Sequence, residues 1–150
     1  ANFGAGKGDR IRQTLKYALL TAVSFGLVWT ALCLSIPNQF LRTFMNPTES
    51  VLRIAPAIIR NYGMSFLLLP LNIFSTYYFQ AILKPQAAFI VSISRGLVIS
   101  GMLILLLPAI SGAESIWYAM PLTEFAVAIY AIFAMARYTK TLKTAGKANP

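Results

Sequence analysis

The chain has 150 residues, of which 57% are hydrophobic and 11% are charged, and its formal net charge is +9. A soluble domain carries about twice that fraction of charged residues, so the composition argues against a soluble fold and predicts helices buried on all sides within a membrane. Histidine is absent and Cys33 is the only cysteine, which excludes imidazole catalysis and a disulfide within these residues.

The positive charge does not indicate a nucleic-acid-binding protein. The thirteen lysines and arginines are spread between apolar blocks and never form a dense run, whereas nucleic-acid-binding domains cluster them on one face. The sequence begins at Ala1 rather than at methionine, and we expect it to be the C-terminal part of a longer protein.

Residues 2–12, NFGAGKGDRIR, are glycine-rich and become basic. A phosphate-binding loop requires serine or threonine after its Gly-Lys pair and a strand before it, but Gly8 occupies that position. We therefore interpret these residues as a solvated approach to the first membrane span.

Four apolar blocks have the length of about 20 residues that a bilayer core requires. We predict membrane-spanning helices over residues 17–36, 62–83, 87–107 and 116–136. Pro37 should end the first helix and Pro108 the third. Residues 51–59 fit either a short amphipathic helix at the membrane interface or the outer turn of the second span. The predicted fold class is an all-α membrane protein with four transmembrane helices.

Basic residues are divided unequally between the two sides of this topology. The side that holds both ends carries Lys7, Arg10, Arg12, Lys16, Lys84, Arg137, Lys140, Lys143 and Lys147, and the opposite side carries Arg42, Arg53 and Arg60. Because cytoplasmic loops are enriched in lysine and arginine, we predict a multi-pass protein of the plasma (inner) membrane with both ends and the basic tail, residues 137–150, in the cytoplasm.

Residues 65–80, SFLLLPLNIFSTYYFQ, combine an apolar block with a stripe of polar side chains. At helical spacing the polar side chains fall within one sector; they are Ser65, Asn72, Ser75, Thr76 and Gln80. This pattern is typical of a helix that faces lipid on one side and a polar surface on the other. Tyr77 near the inner end fits either an aromatic belt at the membrane interface or a surface on which a substrate stacks.

Pro70 interrupts this stretch. It removes a backbone donor and disturbs the carbonyl of Phe66, which then requires water, a side chain or an ion. Asn72 is close enough in sequence to respond to that carbonyl or to a substrate. The pattern fits a hinge at Pro70, and it equally fits a kink that neighbouring helices satisfy without a ligand.

Arg95 and Glu124 are charged residues within predicted spans, where a charge costs several kcal/mol unless it is paired or hydrated. At a rise of 1.5 Å per residue, each lies about 12 Å from the start of its span, from opposite sides of a core about 30 Å thick. Their depths therefore differ by about 6 Å, and we predict an intramembrane ion pair. The alternatives are an Arg95 that snorkels to the inner headgroups beside a protonated Glu124, or a proton-coupling role for Glu124.

Four local patterns resemble one family of transporters, the multidrug and toxic compound extrusion (MATE) family. Residues 2–12 resemble the segment that follows the eighth helix of these proteins, and residues 41–55, LRTFMNPTESVLRIA, resemble an outer loop. Residues 77–96, YYFQAILKPQAAFIVSISRG, resemble the junction of the tenth and eleventh helices, and residues 116–125, IWYAMPLTEF, resemble the start of the twelfth.

The resemblance implies that residues 1–150 are part of the C-terminal lobe of a twelve-helix antiporter, spanning helices nine to twelve. Such proteins export cationic amphipathic drugs in exchange for sodium ions or protons, so the implied partners are small cationic drug-like substrates, the bilayer and the N-terminal part of the same transporter. The cavity lining of the tenth helix falls on Asn72, Thr76 and Gln80, with Tyr77 beside them, and the eleventh-helix arginine falls on Arg95.

One departure from the family concerns the coupling ion. Some members place a cation-binding carboxylate in the tenth helix, and residues 62–83 contain none. Either Asn72 replaces it as a neutral ligand, or the coupling site for sodium or protons lies outside this chain. No other cofactor is expected.

Two rival functions also fit the sequence. A lipid-linked oligosaccharide flippase of the same superfamily would need several cations at mid-depth, and only Arg95 qualifies. A small four-helix membrane scaffold is the other alternative. The sequence contains no grouping of nucleophile, base and metal ligands, so neither catalytic residues nor a metal site is predicted.

Overall fold

The computed structural model describes residues 7–145, which form seven α-helices and no β-strand. The α-helices are α1 (Gly8–Ser35), α2 (Pro37–Phe44), α3 (Glu49–Gly63), α4 (Leu69–Ala81), α5 (Pro85–Ile93), α6 (Ile99–Ser111) and α7 (Ala119–Ala145). Two 3-10 segments, Met64–Leu67 and Ala113–Tyr118, precede α4 and α7, and a π-helical segment, Ser94–Val98, joins α5 to α6. Residues 1–6 of the glycine-rich approach and residues 146–150 of the basic tail lie outside the described residues.

Four helical stretches are long and apolar enough to cross a membrane: Gly8–Ser35, Glu49–Ala81, Pro85–Ser111 and Ala113–Thr141. The predicted all-α membrane fold with four transmembrane helices is confirmed. Pro37 separates α1 from α2, as its position in the sequence predicts.

All four helical stretches differ from their predicted bounds. The first begins at Gly8 rather than at residue 17, and the fourth covers Ala113–Thr141 rather than 116–136. The second begins at Glu49 rather than at residue 62, because α3 continues through Pro56 and residues 51–59 belong to this span. Proline removes a single backbone donor, which a membrane helix tolerates when neighbouring groups compensate. Pro108 does not end the third stretch, because α6 continues to Ser111. Gly112 ends the helix with φ of +85°, a conformation that glycine adopts without strain.

Helix α1 packs against the 3-10 segment before α4 at a glycine. A Cβ atom on Gly26 would lie 2.7 Å from the carbonyl oxygen of Leu67 and 2.8 Å from that of Phe66. The Phe66 carbonyl, with which Pro70 cannot form a helical hydrogen bond, thus lies against the Cα of Gly26. About two helical turns further along α1, a Cβ on Gly63 would lie 2.5 Å from the Cβ of Cys33, so glycine permits close packing at both points.

Small side chains of α7 form the centre of the core with α4 and α5. Ala128 and Ala131 are buried on α7, where they pack in one cluster with Phe79 of α4 and Val91 of α5. Small residues let helix backbones approach closely in a membrane. This packing brings the first turn of α4 within reach of Glu124, which lies one helical turn before Ala128.

Candidate functional site

Glu124 lies at the centre of a polar cluster inside the helix bundle. Its side chain is 0% exposed, and the Nε of Arg95 donates a hydrogen bond to its Oε1 at 2.7 Å. The structure therefore shows the contact between Arg95 and Glu124 that their similar depths along the predicted spans indicate. Arg95 is 28% exposed, so the pair joins a buried carboxylate to a guanidinium at the edge of the bundle.

Asn72 is the third member of this polar cluster (Asn72, Arg95 and Glu124). Its Nδ2 donates to Oε2 of Glu124 at 2.6 Å and to the backbone carbonyl of the same residue at 2.8 Å. The backbone carbonyl oxygen can only accept a hydrogen bond, which assigns the amide nitrogen, and not its oxygen, to this position. Asn72 thus joins α4 to α7 while Arg95 joins the π-helical segment to α7.

The sequence analysis did not predict the contact between Asn72 and Glu124, although the depths of the two residues along their spans indicate it. Asn72 lies ten residues after the predicted outer start of its span, a depth of about 15 Å at 1.5 Å per residue. Glu124 lies at about 12 Å from the same side by the same measure. Comparing polar residues as well as charges by depth would have paired them.

One acceptor in the polar cluster is unsatisfied. Within the described part of the chain, Oδ1 of Asn72 is buried and has no hydrogen-bond partner. The Oγ of Ser65 is in the same condition, whereas Ser75 donates to the Asn72 carbonyl at 2.7 Å. A buried polar atom without a partner costs about 1–3 kcal/mol, so the Asn72 amide stabilises Glu124 at the expense of its own oxygen.

The residues predicted to line a cavity are divided between the interior and the surface. Asn72 is fully buried, so a substrate cannot reach it in this conformation, and Thr76 is half-buried with its hydroxyl 3.3 Å from the Asn72 carbonyl. Tyr77 is 64% exposed and Gln80 is also exposed. Tyr77 and Gln80 are three residues apart and therefore neighbours on the helix surface; their role as a cavity lining stays a prediction.

Pro70 lies in the first turn of α4, directly after the 3-10 segment Met64–Leu67. Proline is favoured at this point because the first residues of a helix have no helical partner for their N–H groups. The interruption predicted from sequence is therefore a break between two helical segments. Whether the break acts as a hinge stays a prediction.

Arg95 lies within the π-helical segment, where the N–H of Ile99 donates to the carbonyl of Ser94, five residues earlier. Such wide turns occur frequently at functional sites. The extra residue changes the direction of the side chains that follow it, and nothing in the hydropathy pattern of residues 87–107 predicts it.

A second polar contact joins α4 to α7 near Tyr78. Its hydroxyl is 2.6 Å from Oγ1 of Thr139. The Nζ of Lys84 lies 5.5 Å from the ring centre of Tyr138, the residue that precedes Thr139 on α7. The neighbouring Tyr77 points outward. Adjacent tyrosines of α4 therefore have different environments.

Replacing Tyr78 with phenylalanine should lower the free energy of unfolding by about 1 kcal/mol, because it removes one partly buried hydrogen bond. Tyr77→Phe is the matched control and should have no effect, since its hydroxyl lies on the surface. Thermal unfolding of the full-length protein measures both. Equal midpoints for Tyr78→Phe and the parent protein would show that the contact with Thr139 contributes nothing to stability.

The comparisons with known proteins point to one family. The family model described as MatE matches residues 1–106, which include Asn72 and Arg95 but not Glu124. No curated protein and no solved structure matches the chain. The MatE match covers well over half of the chain and agrees with the resemblance stated from the sequence, so the chain belongs to the MatE family of membrane transporters.

Proposed function

We propose that this chain is the C-terminal part of a secondary active exporter that moves cationic amphipathic compounds out of the cell in exchange for sodium ions or protons. Membership of a transporter family carries the proposal. The polar cluster supports it, because buried ionisable residues within membrane helices are costly and are retained mainly where a transport pathway needs them. The distribution of basic residues supports a plasma (inner) membrane protein with both ends of the chain in the cytoplasm.

The charge balance of the polar cluster favours export of cations over the flippase alternative. Binding of an anionic pyrophosphate would need uncompensated positive charge at mid-depth. Arg95 is the only lysine or arginine in the middle of a predicted span, and its charge is balanced by Glu124 at 2.7 Å. The described residues thus supply no net positive charge there.

Ethidium accumulation in drug-sensitive cells tests the proposed function. Cells that express the full-length protein should accumulate less ethidium than vector controls, because an exporter coupled to an ion gradient lowers the steady-state concentration inside. Collapsing the gradients of sodium ions and protons should restore accumulation. Equal accumulation in expressing and vector cells, at matched protein levels in the membrane, would refute the exporter.

Substitutions on the exposed face of α4 test the predicted cavity lining. Tyr77→Ala and Gln80→Ala should change the ratio of efflux rates between an aromatic cation and a smaller aliphatic one by several fold, because they remove a stacking surface and a polar contact. Phe89→Ala on α5 is the control, since Phe89 is 65% exposed and Tyr77 is 64% exposed. An unchanged ratio in both α4 variants would place the substrate path elsewhere.

A further inference from the structure

The turn between α4 and α5 contains a leucine in a strained conformation. Leu83 has φ of +57°, and among residues 7–145 it is the only residue other than glycine with a positive φ. The N–H of Lys84 donates to the carbonyl of Phe79 at 2.8 Å, and the N–H of Leu83 donates to that of Gln80 at 3.1 Å. These two hydrogen bonds form a Schellman motif, in which glycine usually occupies the position of Leu83. Because the Cβ atom opposes this conformation, leucine is an unfavourable choice for the backbone alone.

Packing within the described part of the chain does not compensate for this strain. The Leu83 side chain is 71% exposed, whereas the preceding Ile82 is buried in the core. The turn joins the membrane-spanning stretches Glu49–Ala81 and Pro85–Ser111, so it lies at a membrane surface. Strained residues persist where other interactions hold them, and they cluster at binding sites. At a membrane surface, acyl chains are the groups that can cover an apolar side chain.

An open groove of about 470 Å³ follows this turn on the first two turns of α5. Its lining residues share one exposed face of the helix; they are Pro85, Gln86, Phe89 and Ile90. Gln86 supplies the only polar side chain of the lining, so the groove is mainly apolar. At a rise of 1.5 Å per residue the lining extends about 7.5 Å from the start of α5. That depth corresponds to the boundary between the headgroups and the acyl chains.

The surface around the groove is positively charged. Lys84 directly precedes the groove and is exposed; its Nζ lies 5.5 Å from the ring centre of Tyr138 and forms no hydrogen bond or ion pair within residues 7–145. Three segments reach this membrane surface: residues 7–16, 82–86 and 137–145. Asp9 is the only acidic residue in them. The ammonium of Lys84 can therefore turn from the ring to a phosphate, which lysine binds as a point charge, and anionic lipids attract such a basic surface.

We propose that the turn and the groove form a binding site for an anionic phospholipid of the leaflet that faces the basic end of the chain. Lys84 and Gln86 bind the phosphate of the headgroup. One acyl chain lies in the groove against Phe89 and Ile90, and Leu83 inserts beside it. Removing these apolar surfaces from water is favourable and offsets the strain at Leu83. The charge of Lys84 gives the site its preference for an anionic lipid over a zwitterionic one.

Photolabelling of the full-length protein in phosphatidylcholine vesicles tests this site. The probe is a trace of phosphatidylglycerol that carries a diazirine near the carboxyl end of one acyl chain, and peptide mass spectrometry locates the label. Replacing part of the phosphatidylcholine with unlabelled phosphatidylglycerol should reduce the labelling of residues 85–90 several fold, because the unlabelled lipid occupies the site. Ile110 is the matched control, since it is 78% exposed near the other end of the same membrane-spanning stretch and residues 96–113 contain no charge. Its labelling should not change.

Variants of the turn separate the contributions of charge and of apolar contact. Lys84→Gln should abolish the competition by phosphatidylglycerol, whereas Lys84→Arg should keep it, and high salt should weaken it in the parent protein. Leu83→Gly relieves the backbone strain, so its unfolding midpoint in detergent without phosphatidylglycerol should be at least that of the parent protein. The same variant should show several-fold less labelling of residues 85–90 in vesicles, because the apolar contact is lost.

Three results would overturn the lipid site. Labelling of residues 85–90 that phosphatidylglycerol does not reduce would indicate ordinary contact with the bilayer. Labelling of Ile110 without labelling of residues 85–90 would show that another part of the transporter covers the groove. Competition that survives in Lys84→Gln would show that no charge selects the lipid.

The labelling experiment needs no substrate, so its failure leaves the proposed exporter untouched, and absent ethidium efflux with intact competition refutes the exporter alone. A lipid in the groove would act alike on both transported cations, so Phe89→Ala remains a control for the ratio of their efflux rates.

Discussion

Replacing Arg95 with leucine should destabilise the full-length protein by about 3–5 kcal/mol, because it leaves a buried carboxylate without its counter-charge. Glu124 is 0% exposed, so water cannot replace the guanidinium without opening the bundle. Chemical unfolding in detergent, followed by circular dichroism, measures the loss. Arg42→Leu is the control, since Arg42 is exposed on the short helix α2.

Double variants distinguish the loss of the pair from the loss of the arginine side chain. Arg95→Leu combined with Glu124→Leu should be more stable than Arg95→Leu alone, because an apolar pair of similar volume removes the uncompensated charge. Exchanging the two residues, Arg95→Glu with Glu124→Arg, should also recover part of the loss, since it restores opposite charges. If neither double variant is more stable than the single one, the ion pair does not hold these helices together.

Enlarging Gly26 should have the next largest effect. Gly26→Ala places a methyl group 2.7–2.8 Å from two backbone carbonyl oxygens, and these cannot rotate away as a flexible side chain would. We expect a loss of about 1–3 kcal/mol from overpacking, although alanine is the better helix former by about 1 kcal/mol. The same unfolding measurement applies.

Gly101→Ala is the matched control for Gly26→Ala. Gly101 also lies within a helix, but a Cβ there would meet nothing within 4 Å. This variant should be neutral or slightly stabilising because the gain in helix propensity is not opposed by a clash. If the two glycines behave alike, the close approach of α1 to the 3-10 segment is not a source of stability.

The two largest predictions concern different features of the fold. The polar cluster joins α4, the π-helical segment and α7, whereas Gly26 lets α1 approach the break before α4. Both features are adjacent to the same interruption in the second membrane-spanning stretch.

Several properties of this protein follow from its sequence alone. Composition and block length predict four membrane-spanning helices, because the thickness of the bilayer sets the number of apolar residues that a helix needs. Depth along a helix is also a linear quantity, so counting residues was enough to pair Arg95 with Glu124. The motifs that resemble MATE transporters agree with the family match.

Only the tertiary structure decides how the helices are rotated and where they are interrupted. The contact of Asn72 with Glu124, the burial of Asn72 and the close packing at Gly26 depend on which faces meet. The π-helical segment at Arg95 and the continuation of α3 through Pro56 change those faces, and each reflects a small balance between backbone hydrogen bonds and packing. Hydropathy reports how much apolar surface a segment has, but not which neighbour covers it.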